Sequence, residues 1–122
     1  MKKIICLFLF YFVSACMNNE KLTEVGIYYE KYIGEIKIGN KKRIIVRLKN
    51  LGESDLIIHK IQPSCQCVKV NNNMGVLKPK HDVEIIFEFH ATEIGLNEES
   101  IAFNLNTKEK FNIIKFKAKV VK

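Results

Sequence analysis

The chain has 122 residues, 48% of them hydrophobic and 27% charged, with 6 Gly and 2 Pro. That is about one domain's length with enough apolar surface for a core, which excludes collagen-like, low-complexity and wholly disordered chains. Lys and Arg number 20 against 13 Asp and Glu, a net charge of +7; the length leaves no room for a two-domain enzyme with its own cofactor fold.

At the N-terminus, Lys2 and Lys3 precede an unbroken apolar run over residues 4–13. As a helix that run rises about 15 Å, half a bilayer core, so it is too short to span. It ends in Val13-Ser14-Ala15-Cys16, followed by polar residues 17–21. Charge, apolar run, small pair and Cys, in that order, resemble the bacterial lipobox, whose cysteine is lipidated on sulfur and becomes the new N-terminus. The resemblance implies a signal peptide over residues 1–15 and lipidation of Cys16; the residue pattern that follows reads as a lipidated N-terminus and tether over residues 16–31 and a domain over residues 32–122. The expected location is a membrane of the bacterial cell envelope, because two or three acyl chains at about 0.8 kcal/mol per buried CH₂ anchor essentially permanently. Met17, rather than Asp, after the cysteine favours the outer membrane, on its periplasmic or surface face. Cleavage removes Cys6, leaving Cys65 and Cys67 as the remaining thiols.

Tyr28, Tyr29 and Tyr32 lead into the domain, with room for a first short strand. From Gly34 the dominant hydrophobic period is two. Ile36 and Ile38 alternate with polar residues; Ile44, Val46 and Leu48 do the same. Residues 50–55 form a turn cluster. Residues 56–61 are apolar on both faces, as in a central strand, until Pro63 breaks the pattern. Residues 67–70 read as a short strand, and residues 71–75 and 77–80 as bends. Val83, Ile85, Phe87 and Phe89 form the clearest inward face, opposed by Glu84, Ile86, Glu88 and His90. A loop around Gly95 follows. Ile101, Phe103 and Leu105 make another inward set. Ile114, Phe116, Ala118 and Val120 complete the chain, opposed by Lys115, Lys117 and Lys119.

About seven short strands and no helical period predict an all-β, immunoglobulin-like antiparallel sandwich, with a small barrel as the structural alternative. Five elements in order carry a closer likeness: Ile33-Gly34, Asn50-Leu51-Gly52, Ser64-Cys65-Gln66-Cys67, Leu77-Lys78-Pro79-Lys80 and Gly95. Residues 33–121 resemble the bacterial domain-of-unknown-function family 1573, Ig-like domains of envelope lipoproteins. The family has relatives among Ig-like scaffold modules of cilia and sperm proteins, which bind other proteins. Two positions depart from its pattern: Gln66 and Lys80 stand where the family usually has Gly, which takes positive φ more easily. The resemblance implies no activity.

Cys65 and Cys67 are the chemically distinctive pair. In an extended strand residues i and i+2 lie about 6.6 Å apart on one face, near the upper limit of about 6.8 Å for a disulfide. A bridge therefore requires a bend, which Pro63 and Ser64 make accessible. A structural bridge or buried thiol pair, a labile redox pair, and a soft-metal site for an ion such as Cu(I) all stay open. Structural Zn²⁺ needs four ligands, and His59, His81 and His90 stand at no recognisable metal spacing.

The stripe of Lys115, Lys117 and Lys119 reads as a solvated face that blocks edge-to-edge pairing, or as a contact for an anionic surface, with Lys41-Lys42-Arg43, Lys78 and Lys80 adding to it. His59 reads as a packing residue. Glu84 and Glu88, about 13 Å apart along a strand, are too distant for a glycosidase pair. Ser54, Ser64 and Ser100 lack a nucleophile elbow, and no phosphate-loop or zinc-helix motif is present. No cofactor, no catalytic residue and no nucleic-acid partner is expected. The chain reads as a non-catalytic binding or scaffolding module. Its expected partners are the membrane, through the lipid, and another envelope protein, recognised by loops or by strand addition. A thiol-redox or copper-handling protein using Cys65 and Cys67, and a structural envelope protein without a discrete ligand, are the rival readings.

Overall fold

The computed structural model describes residues 21–70 and 75–122. The signal peptide expected over residues 1–15, the expected lipidation site Cys16, most of the short polar segment after it and residues 71–74 of the Asn-rich bend lie outside the described residues. Nine strands are present among those described: β1 (Val25–Tyr28), β2 (Tyr32–Lys37), β3 (Lys41–Asn50), β4 (Leu56–Pro63), β5 (Val68–Val70), β6 (Val76–Leu77), β7 (Asp82–His90), β8 (Gly95–Leu105) and β9 (Phe111–Val121). They form a four-stranded sheet, β1-β3-β7-β5, and a five-stranded sheet, β2-β9-β8-β4-β6. The all-β sandwich expected from the period-two pattern is the observed fold.

Alternation places the core. Ile44, Val46 and Leu48 on β3 and Ile85, Phe87 and Phe89 on β7 point inward from the first sheet. Ile101, Phe103 and Leu105 on β8 and Ile114, Phe116, Ala118 and Val120 on β9 meet them from the second. The sheets interlock through two edge-on aromatic pairs, Phe87 with Phe103 (centroids 6.1 Å apart) and Phe89 with Phe116 (5.9 Å). Such geometry sets the positive edge of one ring against the negative face of the other.

Several details differ from the sequence pattern. The first sheet already begins at Val25, inside the stretch assigned to a tether, because β1 pairs with β3. The sandwich is not wholly antiparallel: the chain leaves β1, crosses to the other sheet, and β2 runs parallel to β9. A register shift between Tyr32 and Glu35 breaks the alternation in β2. Ile33 and Ile36 are therefore the buried pair, while Ile38 lies past the strand and is exposed. Gly34 sits in that irregularity at φ +94°, a conformation that strains any side chain. Pro63 does not end β4 early; it is the strand's last residue, opposite Ile101. Gly95 opens β8 rather than sitting in a loop, at Val120 of β9.

Candidate functional site

Three regions hold the residues singled out by sequence. The first is the corner between β4 and β5, where the chain passes from the five-stranded to the four-stranded sheet. Here Cys65 and Cys67 are joined by a disulfide, with Cα atoms 5.1 Å apart. The backbone has thus bent well inside the extended-strand spacing. The corner is tied down on both sides. The Ser64 amide donates to the Ser100 carbonyl (2.8 Å), and the Ser100 amide donates to Ser64 Oγ (3.0 Å). The His90 amide donates to the Cys67 carbonyl (2.8 Å). The Val68 amide donates to the Cys65 carbonyl (3.2 Å), and the Cys67 amide to Cys65 Sγ (2.9 Å). Gln66 is exposed, and Cys67 packs partly against the core. The corner closes without a glycine between its cysteines.

The structure adds one residue to this corner. Glu99 on β8 brings a carboxylate oxygen within 4.8 Å of both sulfurs, forming a three-donor group. Ser64 Oγ donates to Glu99 Oε2 (2.9 Å) and holds it there. No local sequence signal marks Glu99, which is placed by the β4–β8 register. None of the three histidines joins the group. His59 is exposed at the register shift of β4, His81 is exposed beside the Lys80 bend, and His90 pairs with Glu88 (3.0 Å).

The second region is the pole built on Asn50, which is fully buried at the end of β3. Its Oδ1 accepts from Thr23 Oγ1 (2.8 Å) and the Gly52 amide (3.1 Å). Its Nδ2 donates to the Ser54 carbonyl (2.8 Å) and the Leu77 carbonyl (2.9 Å). All four bonding positions of the amide are filled, as burial of so polar a group demands. Gly52 is required there by space, since a Cβ would collide with Thr23 Oγ1 and lie 2.7 Å from the Glu24 nitrogen. Lys80 adopts φ 68°, so the bend keeps a left-handed residue although a lysine occupies it. Its amide donates to the Asn50 carbonyl (2.9 Å). Asn106, buried beside this pole, accepts from the Ile57 amide (2.6 Å) and donates to the carbonyls of Lys21 (3.0 Å) and Asp55 (2.8 Å). The Asn50-Leu51-Gly52 and Leu77–Lys80 elements are therefore architecture.

The third region is the lysine stripe. Lys115, Lys117 and Lys119 do share the outer face of β9 and are exposed. However, β9 lies between β2 and β8, so these lysines cannot guard a sheet edge. Lys117 pairs with Glu98 (3.6 Å) and Lys119 with Glu35 (3.9 Å), which cancels much of the field the stripe would offer an anionic surface. Phe111 and Ile113 extend the same face as exposed apolar residues.

Residues 29–119 match the model of the HYDIN/CFA65/VesB-like, Ig-like domain. The chain belongs to this family of Ig-like domains. Solved structures share the family's fold at low identity. A protein of unknown function from Porphyromonas gingivalis W83 superposes with a TM-score of 0.67 at 13% identity, over 84% of this chain and 50% of that one. PapD-like domain 7 of human CEP192 gives 0.60 at 14%, over 84% of this chain and 89% of that one. The secreted serine protease VesC from Vibrio cholerae gives 0.63 at 15%, over 78% of this chain but only 23% of the protease. The present chain thus spans half of the Porphyromonas protein and a minor part of the protease. Comparison with the curated proteins found no match.

Proposed function

We propose that this protein is a lipid-anchored binding module of the bacterial envelope, non-catalytic, which recognises another envelope protein through its surface. The observation that carries the reading is the Ig-like family match over residues 29–119, a fold that presents loops and strand edges to partners. Its closer kinship is with the domain-of-unknown-function family 1573, supported by Ser64-Cys65-Gln66-Cys67 and Leu77-Lys78-Pro79-Lys80. Anchoring rests on Val13-Ser14-Ala15-Cys16, with outer-membrane delivery suggested by Met17. The test is twofold. Cys16→Ser should move the protein to the soluble fraction and abolish acyl labelling; unchanged membrane retention counts against the anchor. Crosslinked envelopes should yield the same polypeptide partner reproducibly on affinity capture; repeated capture without one counts against the module.

One observation favours a second reading, a soft-metal site. The disulfide prevents the sulfurs from acting as thiolates. Reduction by an added dithiol consumes two electrons and two protons and yields two thiols. On losing their protons these would supply two soft thiolate donors to an ion such as Cu(I), with the harder Glu99 carboxylate within 4.8 Å as a nearby negative charge. The reduced protein should then bind one Cu(I) per chain, and the Cys65→Ser/Cys67→Ser double variant none. Equal binding by both would remove this reading.

A further inference from the structure

β3 is flanked unequally. β7 runs beside it from Lys41 to Lys49. β1 covers its other side only from Arg47 to Asn50, because the chain departs for the second sheet after Tyr28. Beside the first half of β3, on that side, no strand lies among the described residues. The hydrogen-bond phase identifies the open groups. The Asn50 amide bonds toward the β7 side, to the His81 carbonyl, whereas the Leu51 amide bonds toward the β1 side, to Glu24. Amide direction alternates along a strand. Odd-numbered residues therefore face β1, and the N–H and C=O groups of Arg43 and Ile45 project from the open edge.

The side chains around this edge are not neutral filler. A groove of about 140 Å³ lies between β2 and β3, lined by Glu30, Ile33, Lys42, Arg43, Ile44 and Ile45. Ile33 and Ile44 give it an apolar floor, and Ile45 is exposed on the outer face. Among the described residues, neither Lys42 nor Arg43 has a carboxylate within ion-pair distance. Glu88, opposite Arg43 in the register, is engaged by His90 (3.0 Å) and Lys41 (3.9 Å). Among the described residues, Glu30 is the only acid lining the groove, against two cations.

We propose that the open half of β3 is a strand-addition site for an extended acidic peptide segment of a partner protein, bound in line with β1. This rests on the binding-module reading and names its surface. The segment's main chain would pair with Arg43 and Ile45. Opposite Ile44 it would turn an apolar side chain inward onto Ile33 and Ile44. Opposite Arg43 it would turn a carboxylate outward, because side chains directly across a ladder share a face.

The test uses the full-length, isotope-labelled protein in detergent and an eight-residue peptide alternating Val with Glu, compared with one alternating Val with Lys. The Val–Glu peptide should shift the amide resonances of Arg43 and Ile45 in a saturable manner. Arg43→Glu, an exposed change that leaves the core untouched, should weaken that peptide about fivefold to tenfold and strengthen the Val–Lys peptide. Shifts that map to β5, β6 or the edge of β2 would overturn the assignment while leaving the binding-module reading intact. Equal binding of both peptides, or no shift at Arg43 and Ile45, would also overturn it. Concentration-dependent shifts there without peptide would mean that a second copy occupies the edge, and the proposal would fall. The binding-module reading itself is decided separately, by the envelope capture.

Discussion

The two halves of β3 differ in what lies beside them. From Arg47 to Asn50 the strand is paired on both sides and ends in a buried amide with every hydrogen-bonding position filled. From Lys41 to Ile45 it is paired on one side and its outer residues are exposed, and among the described residues Lys42 and Arg43 have no carboxylate within ion-pair distance. Yet the inner faces are alike, since Ile44, Val46 and Leu48 are all buried. The contrast teaches that a sheet edge can be open while the core beneath it is closed. One strand can then serve stability from its inner face and recognition from its backbone edge.

The comparison can be broken by substitution, starting with the largest effect. Phe87 stands opposite Ile44, beneath the open half, and is fully buried. Phe87→Ala should cost about 3–5 kcal/mol in chemical denaturation; a cost below about 1 kcal/mol would mean the open half is loose inside as well as outside. Asn50→Ala strips four hydrogen bonds at the closed end and leaves the Ser54 and Leu77 carbonyls without their donor. It should cost about 3 kcal/mol, measured in the same way. Gly52→Ala forces a methyl onto Thr23 and should cost about 2 kcal/mol, with Thr23→Ala in the same chain recovering part of it. The Cys65–Cys67 bridge closes so short a loop that its loss in the Cys65→Ser/Cys67→Ser variant should lower stability by only about 1.5 kcal/mol on the chain-entropy account. Ile45→Thr, on the open half, should change stability by under about 0.5 kcal/mol while altering peptide binding. That last result would separate the two roles of β3 most finely.

The parts of this fold that local periodicity controls were legible in the sequence. Phe87 and Phe89, and the β8 and β9 inward sets, alternate without interruption and are buried as the pattern predicts. Where a backbone irregularity intervenes, the pattern misleads: the shift between Tyr32 and Glu35 buries Ile33 in place of Ile38. Long-range pairing left no local mark. The parallel β2–β9 ladder, the interior position of β9 and the arrival of Glu99 beside the cysteines all depend on strands distant in sequence. Asn50 looked like a turn former, which is the usual use of Asn before Gly. Its burial follows from Thr23 and Leu77 closing over it, and both are distant in the chain. The cysteine corner was half legible: the need for a bend followed from spacing, but its fastening to Ser100 and His90 did not.

Residue-resolved amide hydrogen exchange on the full-length protein, with and without the Val–Glu peptide, tests the central claim most directly. In the free chain Arg43 and Ile45 should exchange at least about tenfold faster than Ile44 and Val46, which bond to β7, and should become protected when peptide is added. Uniform protection from Lys41 to Asn50 in the free chain would show that the edge is already closed and contradict the account.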